Sequence, residues 1–83
     1  MPIKKILLAL LDETLNLDGR TASFDGHTPL LGALPEMDSM AVVSLITGFE
    51  DRFGFTVDDD EIDGAVFQTF GTLLKFVEQK LGT

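Results

Sequence analysis

The chain has 83 residues, 45% of them apolar, with 14 acidic and six basic side chains for a formal charge of −8, and no cysteine. That length supports one folding unit, expected over residues 1–83, which buries roughly 60–65% of its unfolded surface and leaves little interior for a deep catalytic cleft. The acidity disfavours nucleic acid and anionic membranes and favours partners with basic patches, while the missing thiols exclude disulfides, thiolate metal sites and a cysteine nucleophile.

A first helix is expected over residues 3–17. Pro2 suits its first turn and Asp18-Gly19 its end, and Ile3, Ile6, Leu7, Leu10, Leu11 and Leu15 recur at helical spacing. The apolar run 6–11 follows Lys4-Lys5 as a signal peptide would. It stops at Asp12-Glu13 after six residues, whereas a membrane span needs about 20. A core-facing helix and a cytoplasmic protein without membrane insertion are the expectation.

Residues 18–37 are rich in Gly, Asp, Thr and Pro and read as a connection of the length that anchors or serves function. Phe24, Leu30, Leu31, Leu34 and Pro35 are expected to pin it to the bundle. Its one histidine, His27, reads as a solvated loop residue.

A second helix is expected over 39–53, with Asp38 as N-cap and Gly54 as stop. Met40, Val43, Ile46, Phe49 and Phe53 mark its apolar face, and Gly48 allows a close helix–helix approach. A short helix over 59–67 and a last helix over 69–81 follow. Phe70, Leu73, Leu74, Val77 and Leu81 of the last helix point inward. The expected fold class is therefore all-α: a small, mostly antiparallel four-helix bundle of three main helices and one short one.

Ser39 is the residue with the most chemical promise. At a helix start its hydroxyl lies close to unpaired N–H groups and the positive end of the helix dipole, an environment that suits a covalently attached phosphate. Plain capping explains an Asp-Ser pair equally well, and no Glu or Gln stands three residues after Asp38 to complete a capping box. A hydrolase triad with His27 lacks a Gly-x-Ser-x-Gly elbow. The run Asp58-Asp59-Asp60-Glu61-Ile62-Asp63-Gly64 matches the first half of an EF-hand loop starting at Asp59, but position twelve falls on Phe70 instead of Glu. A solvated acidic loop that caps a helix start is the simpler account.

Leu34-Pro35-Glu36-Met37-Asp38-Ser39-Met40, then Phe49-Glu50-Asp51-Arg52-Phe53-Gly54-Phe55, then the acidic stretch 58–62 and the final Phe67-Gln68-Thr69-Phe70 segment together resemble the acyl carrier protein family. Met40 stands where the family's Asp-Ser-Leu motif has Leu. The resemblance implies a bundle that is not an enzyme. It implies that a phosphopantetheinyl transferase moves 4′-phosphopantetheine from coenzyme A onto Ser39, flanked by Asp38 and Met40. It implies further that the arm's thiol carries acyl intermediates as thioesters in fatty-acid, polyketide or specialised lipid biosynthesis. A monomer is expected, docking on acyl-transferring or condensing enzymes with basic patches. An aminoacyl or peptidyl carrier, and an unmodified acidic interaction module, are the alternatives.

Residues 36–63 hold nine acidic residues and one basic one, Arg52, and should form much of the partner-facing surface. The second helix, commonly the family's recognition element, departs from the family in its early turns. Ala41 and Val42 stand there, with Glu50 and Asp51 only near the end. Either Ala41 and Val42 are exposed beside Ser39 and make the docking surface unusually apolar, or they pack against the loop. Val43, Ile46, Ile62, Ala65 and Phe67 are candidates to line a space for an acyl chain, and ordinary packing explains them equally well.

Overall fold

A computed structural model describes residues 2–82, the side chain of Asp59 excepted; Met1 and Thr83, the ends of the expected unit, lie outside the described residues. Three α-helices, α1 (Ile3–Leu15), α2 (Ser39–Phe53) and α3 (Phe70–Leu81), are joined by two long connections carrying short 3₁₀ turns at Arg20–Ser23 and Asp59–Glu61. α1 packs against both α2 and α3, and no strand forms among the described residues.

α1 buries Leu7, Leu10, Leu11 and Leu15, the four- and three-residue spacing of one helical face. It ends two residues earlier than expected. Asn16 takes the left-handed conformation (φ 58°) that ends a helix, one that asparagine tolerates better than most residues. Leu17 is thereby turned into the core, fully buried.

The first connection is fastened to the start of α3 by backbone hydrogen bonds. Leu30 and Leu31 N–H donate to the Gln68 and Phe67 carbonyls at 2.9 and 3.0 Å, and Phe70 and Gly71 N–H donate to Thr28 and Gly26 at 2.9 and 3.1 Å. The pins differ in part from expectation. Leu30 is buried and Phe24 and Leu34 are half-buried, but Leu31 and Pro35 are exposed, and Leu17 and Met37 take their place in the core. The cause is the backbone pairing, which fixes residues 28–31 by their main chain and leaves Leu31 facing outward.

α2 starts at Ser39 and stops at Gly54 (φ 78°), as the sequence leads one to expect. Its inward face keeps Phe49 and Phe53 as expected but is rotated in the early turns. Ala41, Leu45, Phe49 and Phe53 are buried, whereas Met40 and Val43 are 74% and 60% exposed. Residues 40–46 are apolar on nearly every side, so periodicity leaves the phase ambiguous there. The bulky Leu45, Phe49 and Phe53 settle it, because burying them removes more apolar surface from water. At Gly48 a β-carbon would stand 2.8 Å from Leu10 Cδ1, so α1 and α2 approach closely there and a larger residue would have to displace the Leu10 side-chain tip.

The short helix expected over 59–67 shrinks to one 3₁₀ turn followed by turns. Its acidic side chains bond the backbone locally instead. Glu61 accepts from Asp58 N–H, and Asp63 Oδ1 from Ala65 and Val66 N–H; such bonds compete with helix extension. α3 is capped by Thr69, whose hydroxyl accepts from Thr72 N–H while the Thr72 hydroxyl accepts from Thr69 N–H, and it stops at Gly82. Phe70, Leu73 and Val77 are buried, with Leu74 and Leu81 half-buried.

Candidate functional site at the start of helix α2

Three constraints place Ser39. Met37, two residues before it, is 5% exposed and anchors the chain in the core. Glu36 pairs with Arg20, whose Nε also donates to the Leu17 carbonyl at 3.1 Å, so one guanidinium ties the end of α1 to the approach to α2. Asp38 then adopts an extended backbone and its Oδ1 accepts Ala41 N–H at 2.8 Å, capping α2.

Ser39 follows as the first helical residue and is exposed. Among the described residues no hydrogen bond engages its hydroxyl. The helix dipole and the free first-turn N–H groups favour negative charge there. Asp38 satisfies one of these donors and leaves the hydroxyl itself uncommitted.

Beside Ser39 lies a cleft of about 460 Å³. Asp38, Ser39 and Asp63 are its polar lining residues. Leu31, Val42, Ile62 and Phe67 supply apolar lining, with Gly64 completing it. Of the residues named as candidate lining, Ile62 and Phe67 are there; Ile46 is not, and Val43 and Ala65 are exposed elsewhere. Leu31, Asp63 and Gly64 were missed. They sit in the two long connections, and no periodic pattern shows that these connections converge.

The flanking residues divide sharply. Met40 projects into solvent. Ala41 is buried, so it is not available to a partner, because the rotated phase of α2 places it inward. Val42 is half-buried against the cleft. Of the two arrangements open for Ala41 and Val42 the packed one holds, and the exposed apolar side chains in the early turns of α2 are Met40 and Val43. Asp51 is exposed, but half-buried Glu50 accepts Val57 N–H at 2.9 Å and ties down the second connection.

Among the described residues three carboxyls have pKa values below their usual range. The Arg20 hydrogen bond holds Glu36 down; the Asp58 N–H and then Lys80 do so for Glu61; the His27 N–H leads for Asp25. His27 itself is an exposed loop residue, and among the described residues no hydrogen bond joins it to Ser39.

No family model matches the chain. Over 45 residues it is 38% identical to an acyl carrier protein of Thermotoga maritima, a match covering 54% of this chain and 53% of that protein. The chain thus spans about half the length of that curated relative. The whole chain aligns with the solution structure of a holo acyl carrier protein from Nitrosomonas europaea, at 44% identity and a TM-score of 0.89, covering 100% of both chains. This chain belongs to the acyl carrier protein family.

In this acyl carrier scaffold the acidic run 58–63 builds the second connection. Glu61 is engaged by Lys80 and Asp58 N–H, and Asp63 by two N–H groups. Among the described residues no group of three or more metal-binding side chains is placed to hold an ion. The side chain of Asp59, where an EF-hand would begin, lies outside the described residues. No described helix is long and apolar enough to cross a membrane.

Proposed function

We propose that Ser39 is the attachment point for 4′-phosphopantetheine and that the chain carries acyl groups as thioesters on the arm's thiol. The Ser39 hydroxyl attacks the phosphorus of coenzyme A that bears the pantetheine, a phosphodiester forms, and the nucleotide leaves with the remaining phosphate. A phosphopantetheinyl transferase supplies the catalysis. The acyl carrier protein itself is not an enzyme: it presents a tethered intermediate to successive partners at high effective concentration.

The observation that carries this reading is an exposed hydroxyl at the first position of α2, with no hydrogen bond among the described residues, on the edge of a mostly apolar cleft. The helix terminus tolerates the phosphodiester charge, and the cleft offers an apolar cargo a place out of water. Asp38 holds the helix start in register and Met40 flanks the arm on the solvent side.

The exposed Met40–Val43 pair beside the acidic surface favours partners whose basic docking patch has an apolar centre. Such partners suit enzymes of fatty-acid, polyketide or specialised lipid assembly in the cytoplasm, with the carrier acting as a monomer.

Intact mass after incubation with coenzyme A and a promiscuous transferase should rise by one phosphopantetheine group. Ser39→Ala should abolish the gain and leave the helical circular-dichroism spectrum unchanged. Wild-type protein that stays unmodified while a control carrier is loaded would overturn the proposal and leave the interaction-module alternative. Mass spectrometry of the thioester from native protein separates acyl from aminoacyl or peptidyl cargo.

A further inference from the structure

The cleft wall contributed by Ile62, Asp63 and Gly64 belongs to no helix, so something else must hold it. Beyond it, Phe67 and Gln68 are fastened through their carbonyls to Leu31 and Leu30, and Val66 through its carbonyl to the Thr72 hydroxyl at 3.0 Å. Before it stands Glu61, whose two carboxylate oxygens both accept from Lys80 Nζ, at 2.8 and 3.0 Å. Glu61 Oε2 also accepts Asp58 N–H at 2.8 Å. Lys80 Nζ lies 5.8 Å from the centroid of Phe55, which stacks on Phe53 at 6.0 Å with an interplanar angle of 7°. One ammonium in the last turn of α3 therefore grips both ends of the segment 55–61.

This pair differs from two other ion pairs among the described residues. The Lys80 and Glu61 side chains are 22% and 30% exposed, against 51% and 32% for Arg20–Glu36 and 40% and 62% for Arg52–Glu13. A pair half withdrawn from water is less screened and holds its geometry better than a surface pair. Residues 62–65, between the two anchors, make only local turn bonds among the described residues.

We infer that Lys80 and Glu61 form a latch that holds the Ile62–Gly64 wall of the cleft closed and so sets how well a long apolar cargo is sheltered. They are positioning residues: neither lines the cleft, and each acts through the segment it tethers. The cargo role rests on the reading of Ser39 as the attachment point. The latch itself is a property of the unmodified fold.

The test uses the whole chain loaded at Ser39 with an acetyl or an octanoyl thioester and attacked by hydroxylamine, which takes the acyl group as a hydroxamate and frees the arm's thiol. Lys80→Met and Glu61→Gln should each speed octanoyl release several-fold and leave acetyl release unchanged, because a two-carbon cargo is too short to depend on the wall. Lys80→Arg should behave as wild type. On the unmodified protein, amide exchange at residues 61–66 should quicken in Lys80→Met while the core amides of α1 and α2 stay protected. Equal acceleration of both cargoes, or none, overturns the cargo role. Unchanged exchange at 61–66 overturns the latch. A chain that accepts no phosphopantetheine shows up before any rate is measured; it overturns the carrier reading and with it the cargo role.

Discussion

The N–H of Gly71 donates to the carbonyl of Gly26 at 3.1 Å, and a β-carbon on residue 71 would stand 2.4 Å from that same oxygen. The first turn of α3 and the tip of the first connection therefore meet backbone to backbone, with no room for a side chain. Because the obstacle is main chain, it yields only if the connection moves. Gly71→Ala should destabilise the fold by about 1–3 kcal/mol, the usual range for overpacking a tight contact, despite the better helix propensity of Ala. Urea denaturation measures the loss. Amide exchange at Leu30 and Leu31 should quicken first, since these amides lie in the same zipper.

Asp38 caps α2, and its charge can be tested apart from that cap. Asp38→Ala removes the acceptor for Ala41 N–H and should cost about 1 kcal/mol, as loss of an N-cap does. Asp38→Asn retains an acceptor oxygen and should stay within a few tenths of a kcal/mol of wild type. Thermal melts of the two variants decide the structural duty. If the transferase then modifies Asp38→Asn more slowly at equal stability, the charge beside Ser39 has a recognition role of its own.

Much of this arrangement is legible in the residues alone, and the failures have definite causes. Asp38, Ser39 and Gly54 mark both ends of α2 because capping chemistry is local. The phase of α2 is not legible at residues 40–46, since Met40, Ala41, Val42, Val43 and Ile46 offer apolar surface in several directions and only the whole fold chooses among them. The cleft is half legible: Ile62 and Phe67 are expected lining, while Leu31 reaches it through backbone pairing between distant segments, and Asp63 and Gly64 lie in a turn with no periodic signal. α1 ends at Asn16 and not at Asp18-Gly19, because asparagine, after glycine, is the residue most at ease in the left-handed conformation.

Acid should weaken the tethers before it melts the core. Glu36 is held below its ordinary value chiefly by the Arg20 hydrogen bond, and Glu61 by Asp58 N–H and then Lys80. A carboxyl whose folded pKa is depressed stabilises the fold fully above its unfolded pKa, and that contribution is lost as the pH falls through the folded one. Stability should therefore decline on acidification through the carboxylate range. Glu36→Gln should flatten the decline in part, because the glutamine has no proton to gain. Melting temperature as a function of pH for the two proteins is the measurement, and parallel curves would show that the Arg20–Glu36 tether is inconsequential.

Met40 and Val43 are the two apolar side chains of α2 that the fold does not use. Their removal should therefore be silent for stability and felt by partners. Met40→Ser with Val43→Ser should shift unfolding free energy by less than about 0.5 kcal/mol, as exposed substitutions usually do. The same variant should raise the KM of a phosphopantetheinyl transferase several-fold with kcat little changed, since the lost contact is one of docking. Asp51→Asn, on the exposed acidic end of the same helix, should act differently, slowing association and reducing its salt dependence. If Met40→Ser with Val43→Ser leaves KM unchanged while Asp51→Asn lowers the salt dependence, the acidic surface governs docking and the Met40–Val43 patch is incidental.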